Sequence, residues 1–238
     1  LHQSQTKPIH TGIKRMFHLS DPYSILPASI WWFFNISVAI LLLGLALLPS
    51  TRRALEQPQR LSIFLTLTLF LMLIWLIKAQ VLGGFYLHLI GASVAYLLLG
   101  TRIAVLALAV VLTLTNLTVH DHPLTWGLQF VLVVLLPVLL ASALHTVAKR
   151  MLPRRLFVFI IVRGFFVAML TMTLTSLTNL LILNELFVAQ IDNIGDSTQI
   201  VLPILLGWGE GMLSGMACAL IGVYRPEWWF VDEVFVDV

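Results

Sequence analysis

IWWFFNISVAILLLGLALL, Ile30 to Leu48, runs nineteen residues without a charged side chain, and Arg52 and Arg53 follow it at once. A helix needs about 20 apolar residues to cross a hydrocarbon core about 30 Å thick. Cations gather where such a helix leaves the membrane on its cytoplasmic side. The stretch therefore reads as a transmembrane span. Working outward, the same pattern recurs over Leu61–Ile77, Phe85–Leu99, Ile103–Val119, Trp126–Val147, Phe157–Leu183 and Ile200–Val223.

These stretches predict an all-α, multi-pass transmembrane helical bundle of about seven spans. The third stretch is too short to cross unaided and is expected to be a short or re-entrant span. Residues 1–28 read as an external amino-terminal segment, 29–225 as a single bundle, and 226–238 as an acidic and aromatic cytoplasmic tail. The chain is 59% hydrophobic and 11% charged, where soluble domains carry about 25% charged residues. That composition leaves no room for a soluble catalytic domain.

Threading the spans in order sorts the charges. Arg52, Arg53, Arg60, Arg102, Lys149, Arg150, Arg154, Arg155 and Arg225 fall on one side, and Lys7, Lys14, Arg15 and Lys78 on the other. Nine cations against four predict an external amino terminus and a cytoplasmic carboxyl terminus. The net charge of +3 is explained by these short loops, so nucleic acid is not an expected partner; the lipid bilayer is. Cys218 is the single cysteine, which excludes an internal disulfide and a cysteine-rich metal cluster. The amino end, Leu1-His2-Gln3-Ser4, has no early apolar core, and a cleavable signal peptide of the usual form is not expected in it.

The same threading places His2, His10, His18, His120 and His122 outside, His88 at the external mouth of the third span, and His145 inside. His120-Asp121-His122 brings two imidazoles and a carboxylate into one short loop, and imidazole suits zinc, copper, iron and nickel. A plain solvated loop is the alternative. His88 lies within Gly83-Gly84-Phe85-Tyr86-Leu87-His88-Leu89-Ile90-Gly91-Ala92, whose small residues allow a broken helix. An ionisable group beside a broken helix often marks a transport site; an interfacial histidine bonded to a neighbouring loop is the bland reading. His2 would set an imidazole beside the free amino group, a set able to hold a divalent ion in a plane.

Glu210 and Arg163 lie inside spans, where each costs roughly 3 kcal/mol and requires a partner or water. Both are expected to face the bundle interior, joined by an ion pair or hydrogen-bond network, with a direct transport role for Glu210 as the competing reading. Gly207, Gly211, Gly215 and Ala219 recur every fourth residue and line one helical face as a packing seam, inside the bundle or against a partner. Ala168, Thr171, Thr175 and Asn179 form a small and polar stripe on the preceding span, expected to meet that seam. The turn Lys149-Arg150-Met151-Leu152-Pro153-Arg154-Arg155 is chiefly a topology signal, and the external carboxylates Glu185, Asp192 and Asp196 read as a solvated acidic loop.

Several segments together resemble the CbiM-like permeases of energy-coupling-factor transporters, particularly a divergent branch of them. They are His88-Leu89-Ile90-Gly91-Ala92-Ser93, the turn leading into Phe157-Val158-Phe159-Ile160, Glu210-Gly211-Met212-Leu213-Ser214-Gly215-Met216, and Val223-Tyr224-Arg225-Pro226-Glu227-Trp228. The resemblance runs from about Leu26 to Asp232. It implies a substrate-capture subunit in a bacterial inner membrane that recognises cobalt or nickel ions as cargo, with no tightly bound cofactor. It also implies a transmembrane coupling subunit and paired cytoplasmic ATPases as partners. In better-known relatives an exposed Met-His amino end and a loop histidine hold the metal; the counterparts here are Leu1-His2 and His88.

No Gly-x-x-x-x-Gly-Lys-Ser/Thr loop occurs, so ATP hydrolysis would come from another chain and the protein is not expected to be an enzyme. A Gly-x-Ser-x-Gly elbow and a His-Glu-x-x-His helix are also absent from the sequence, which disfavours an intramembrane enzyme. A non-transporting membrane assembly protein, using the glycine seam and the tail Asp232-Glu233-Val234-Phe235-Val236-Asp237 to hold partners, is the reading from a different class.

Overall fold

The computed structural model describes residues 27–76, 79–81, 85–87, 89–119, 123–151, 155–186 and 196–229. Prolines punctuate its first third. Helix α1, Ala28–Leu47, stops at Leu48, which is extended (φ −57°, ψ 129°) because the α conformation is disfavoured before Pro49. Pro49 and Pro58 then open α2, Pro49–Leu55, and α3, Pro58–Leu76, where a missing N–H costs nothing. Two three-residue strands follow, β1 Ala79–Val81 and β2 Phe85–Leu87, paired antiparallel with Gln80 opposite Tyr86.

The third expected span is short, as the sequence predicts, but its bounds differ. Its first residues, Phe85–Leu87, are strand, and helix begins only at Ala92. Gly91 explains the delay. Its φ of +72° cannot continue a helix and strains any side chain, and a Cβ there would strike the Leu71 side chain, so glycine is favoured. Helix α4, Ala92–Val119, is then broken at Gly100, whose φ of 74° and ψ of 167° belong to a region essentially reserved for glycine. Residues 92–99 form a half-helix of about 12 Å. It starts beside Leu71 and Trp75, near the far end of α3, and reaches Gly100 beside Ser50 and Thr51. Residues 101–119 return. The predicted third and fourth spans are thus one helix folded at a glycine, and among the described residues six helices are long and apolar enough to cross a membrane.

The remaining rods are α5, Trp126–Met151, α6, made of Leu156–Val158, Phe159–Phe166 and Val167–Leu186, and α7, Asp196–Tyr224. Two of them widen into π-helix, α5 over Phe130–Leu135 and α6 over Phe159–Phe166. In α5 the wide turn sits just ahead of Pro137, which cannot donate to the carbonyl four residues back. A carbonyl within it, that of Leu132, accepts from Asn179 Nδ2 at 3.3 Å.

Contacts fix which loops share an end. Arg102 Nη1 donates to Ser50 Oγ at 2.8 Å, Gln59 Nε2 to the Glu227 carbonyl at 3.3 Å, and the Phe159 ring meets Trp229 edge-on. The loops around residues 50, 100 and 155 and the start of the tail therefore lie together, at the cation-rich end. Trp228 and Trp229, expected in a separate tail, pack on the bundle. At the opposite end Asn35 ties α1 to the start of α5, donating to the Leu124 carbonyl at 3.0 Å and accepting from Gly127 N–H at 2.7 Å.

The half-helix is the centre of the molecule: residues 90–100 are buried without exception. Large apolar side chains such as Phe33, Leu65, Leu69, Trp208 and Met216 face outward, as a bilayer solvent requires. The seam on α7 packs within the chain. A Cβ on Gly207 would collide with Thr173 and lie 2.7 Å from the Met169 carbonyl; on Gly211 it would lie 3.0 Å from the Phe165 carbonyl, and on Gly215 3.2 Å from Phe165 Cβ. The face of α6 that meets the seam is therefore Phe165, Met169 and Thr173. The stripe of Ala168, Thr171, Thr175 and Asn179 looks elsewhere: Asn179 reaches α5, and Thr171 and Thr175 bond to carbonyls of their own helix.

Gly207→Ala is expected to destabilise the bundle by about 1–3 kcal/mol through overpacking, whereas Gly44→Ala, where nothing lies within 4 Å, leaves stability unchanged or slightly raised. Thermal unfolding of the two variants in detergent checks the contrast, and equal melting temperatures would refute the seam as a close backbone contact.

Candidate functional site

A broken helix inside a membrane leaves backbone groups that water cannot satisfy; two spans meet the groups at this break, and a third meets a side chain one turn further on. Ile90 and Gly91, immediately before the half-helix, donate their N–H groups to the two carboxyl oxygens of Glu210 on α7, at 3.0 and 2.8 Å. Glu210 is only 2% exposed. The Ile90 carbonyl accepts from Trp75 Nε1 of α3 at 3.2 Å. One turn into the half-helix, Ser93 Oγ lies 2.7 Å from His145 Nε2 of α5, and Tyr96 stacks on the same imidazole at 5.2 Å and 16°. Carboxyl, indole and imidazole from three separate spans thus converge on residues 90–93.

Glu210 does not pair with Arg163, as the sequence reading expects. Its acceptors are filled by backbone, which no side-chain pattern reveals. Arg163, 5% exposed, sits in the π segment of α6 with its guanidinium 5.2 Å from the centre of the Phe159 ring, a cation–π arrangement in a dry setting. Both residues face the interior.

His145 is the residue that sequence reasoning passed over. It is fully buried, and its Nδ1 has no hydrogen-bond partner among the described residues. A signal was present: Val138, Ala141, His145 and Ala148 recur at three- and four-residue steps, so the imidazole falls on the buried stripe of α5.

His2, His88, His120 and His122 lie outside the described residues, and Glu185, Asp192 and Asp196 carry no described side chain. Among the described residues no group of three or more His, Cys, Asp or Glu could hold a metal ion. What flanks the histidines is described. His88 is separated from Ile90 by Leu89 alone, whose side chain lies beside Gly209 of α7. Both sides of the His120-Asp121-His122 loop are held together: Asn116 Nδ2 donates to Gln129 Oε1 at 2.7 Å, Trp126 Nε1 to Thr113 Oγ1 at 3.3 Å, and Asn35 latches Leu124 and Gly127. Leu76 at the end of α3, and Val119 and Pro123 on either side of this loop, lie at the end opposite the cations.

The family described as CbiM, cobalt uptake substrate-specific transmembrane region, matches residues 18–228. Among solved structures, a truncated transition metal transporter is similar, with a TM-score of 0.65 at 14% identity, over 83% of this chain and 95% of that one. At that identity the likeness is one of fold. No curated protein matches the chain.

Glu210→Gln replaces one acceptor oxygen by an amide that faces an N–H, leaving a buried donor unsatisfied at a cost of about 1–3 kcal/mol. Hydrogen exchange is expected to accelerate about tenfold or more at Ile90 and Gly91 and not in α1. Unchanged exchange at those two amides would show that the carboxyl group does not hold the break.

Proposed function

The chain belongs to the CbiM family of cobalt uptake substrate-specific transmembrane regions, and from that membership we propose that it is the metal-capturing membrane subunit of an energy-coupling-factor transporter. Its cargo is a transition-metal ion, cobalt or nickel. It delivers that ion with a transmembrane coupling subunit and cytoplasmic ATPases, since its own sequence holds no phosphate-binding loop.

One observation carries the reading: the carboxyl group of Glu210 grips the backbone at Ile90 and Gly91, next to the His88-Leu89 pair. A capturing ligand must be held in a fixed orientation, and the fixed backbone at Ile90 and Gly91, two and three residues further along the chain than His88, supports that role. Half-broken helices anchored near the middle of a bundle are the usual architecture of a transport site. His88 is the first ligand in this reading. His120 and His122 are the second source of imidazole at the same end, with His2 completing a nitrogen-rich set, chemistry that suits nickel and related ions. Glu210 and Arg163 support the bundle rather than touch the ion.

The assembly-protein reading loses its main feature, because the glycine seam is filled by Phe165, Met169 and Thr173 of the same chain.

Metal content and titrations of Co(II), Ni(II), Cu and Zn on the purified full chain test the proposal. Stoichiometric binding is expected, abolished in His88→Ala and weakened in His120→Ala/His122→Ala. Imidazole binds metal only when neutral, so affinity should fall as pH drops below about 6.5. A folded wild-type protein that binds none of the four metals would overturn it.

A further inference from the structure

The half-helix, residues 92–99, is held at its tip by one set of contacts and along one face by another. At the tip the ties fall on two neighbouring residues: the N–H groups of Ile90 and Gly91 bond to Glu210, and the Ile90 carbonyl accepts from Trp75. Ties on adjacent residues pin a point and leave the rod beyond it free to turn. A second hold, displaced along the axis, is needed to set its rotation. Among the described residues, the side chains of residues 92–99 make one hydrogen bond, between Ser93 Oγ and His145 Nε2 at 2.7 Å.

Ser93 and Tyr96 stand three residues apart and so share a face of the half-helix. Both meet the same imidazole, Ser93 at its edge and Tyr96 on its plane, at 5.2 Å and 16°. A helix joined to one ring at edge and face cannot turn without breaking a contact. Its other side offers no such grip. Val94 and Leu98, four residues apart, face a cavity of about 220 Å³ between Leu67 and Leu71 of α3 and Leu213 and Ala217 of α7. Where space is left unfilled, close packing does not fix a rotation.

The imidazole is also a costly way to fill its position. His145 is fully buried and its Nδ1 has no hydrogen-bond partner among the described residues. A leucine there would occupy similar space without an unpaired nitrogen, so stability is not what the histidine supplies. It supplies direction.

We propose that His145 is a positioning residue for metal capture: through Ser93 and Tyr96 it sets the rotation of the half-helix, and with it the presentation of His88 ahead of the break. The inference rests on the reading of His88 as the capture ligand. Glu210 fixes where the break lies, and His145 fixes which way the helix that follows is turned. His145 itself does not touch the ion.

The test compares the full chain in detergent with His145→Leu, His145→Gln, Ser93→Ala and Ser93→Ala/His145→Leu. It reads thermal unfolding, Co(II) affinity, and hydrogen exchange at Ile90 and Gly91. His145→Leu is expected to keep its melting temperature and to bind Co(II) about tenfold more weakly, a pattern that a purely structural residue would not give. His145→Gln, whose amide reaches as far as Nε2, should recover part of the affinity. Because the two side chains act through one bond, the double variant should bind no more weakly than the weaker single one. If His145→Leu does not fold, His145→Gln and Ser93→Ala carry the comparison. Wild-type Co(II) affinity in the folded single variants would overturn the proposal. A wild-type chain that binds no Co(II) overturns metal capture instead, and exchange then decides whether His145 sets the half-helix: acceleration at Ile90 and Gly91 in Ser93→Ala and His145→Leu supports it, and unchanged exchange refutes it.

Discussion

Everything in this bundle is arranged around two backbone amides. Where a helix breaks in hydrocarbon, each unsatisfied N–H costs several kcal/mol, and a carboxyl group buried in the same medium is costly for the complementary reason. Ile90, Gly91 and Glu210 answer each other's need in one pair of hydrogen bonds. The rest follows from bringing α7 to that place. The glycines at 207, 211 and 215 let α7 lie against Phe165, Met169 and Thr173, and Glu210, one residue from the seam, then projects toward the break. Gly91 closes the geometry, since Leu71 occupies the space a side chain would need.

Around this centre the surrounding helices also depart from ideal geometry. The π segments of α5 and α6 open the ladder just where polar groups must be placed. In α5 the widened turn leaves a carbonyl for Asn179, and in α6 it carries Arg163 at a buried position over Phe159. Such bulges cost helix regularity and are characteristic of sites where a side chain must point off register. With Ser93 and Tyr96 around His145, the interior contains a polar spine through spans that look uniformly apolar in outline.

The sequence discloses the spans readily because hydrocarbon demands long uncharged runs, and Ile30–Leu48 is such a run. It also shows that Glu210 and Arg163 turn inward, since neither can face lipid. It does not show what Glu210 bonds to, because backbone amides are common to every residue and leave no letter. The fold in α4 is hidden for a similar reason: Gly100 reads as the edge of a loop, and only its φ and ψ reveal that the loop is one residue long. On α6 two stripes compete, one small and polar and one of Phe165, Met169 and Thr173, and composition favours the one that does not meet the glycines. Glycine's natural counterpart is bulk. The histidines proposed to capture the ion are legible as chemistry, in His88 and in His120-Asp121-His122, while the groups that hold the described residues on either side of them belong to distant helices.

Helix α1 is the most lipid-exposed of the spans, with only 11% of its apolar window buried, and its polar anchor is Asn35. The partners of that side chain, the Leu124 carbonyl and Gly127 N–H, lie 89 and 92 residues further along the chain. At translation rates of about 5–20 residues per second, the ribosome makes them on the order of ten seconds after Asn35 itself. During synthesis the first helix therefore waits in the membrane with an amide it cannot satisfy. It docks only when the fifth rod arrives, so the amino-terminal helix is the first to be made and among the last to be fastened.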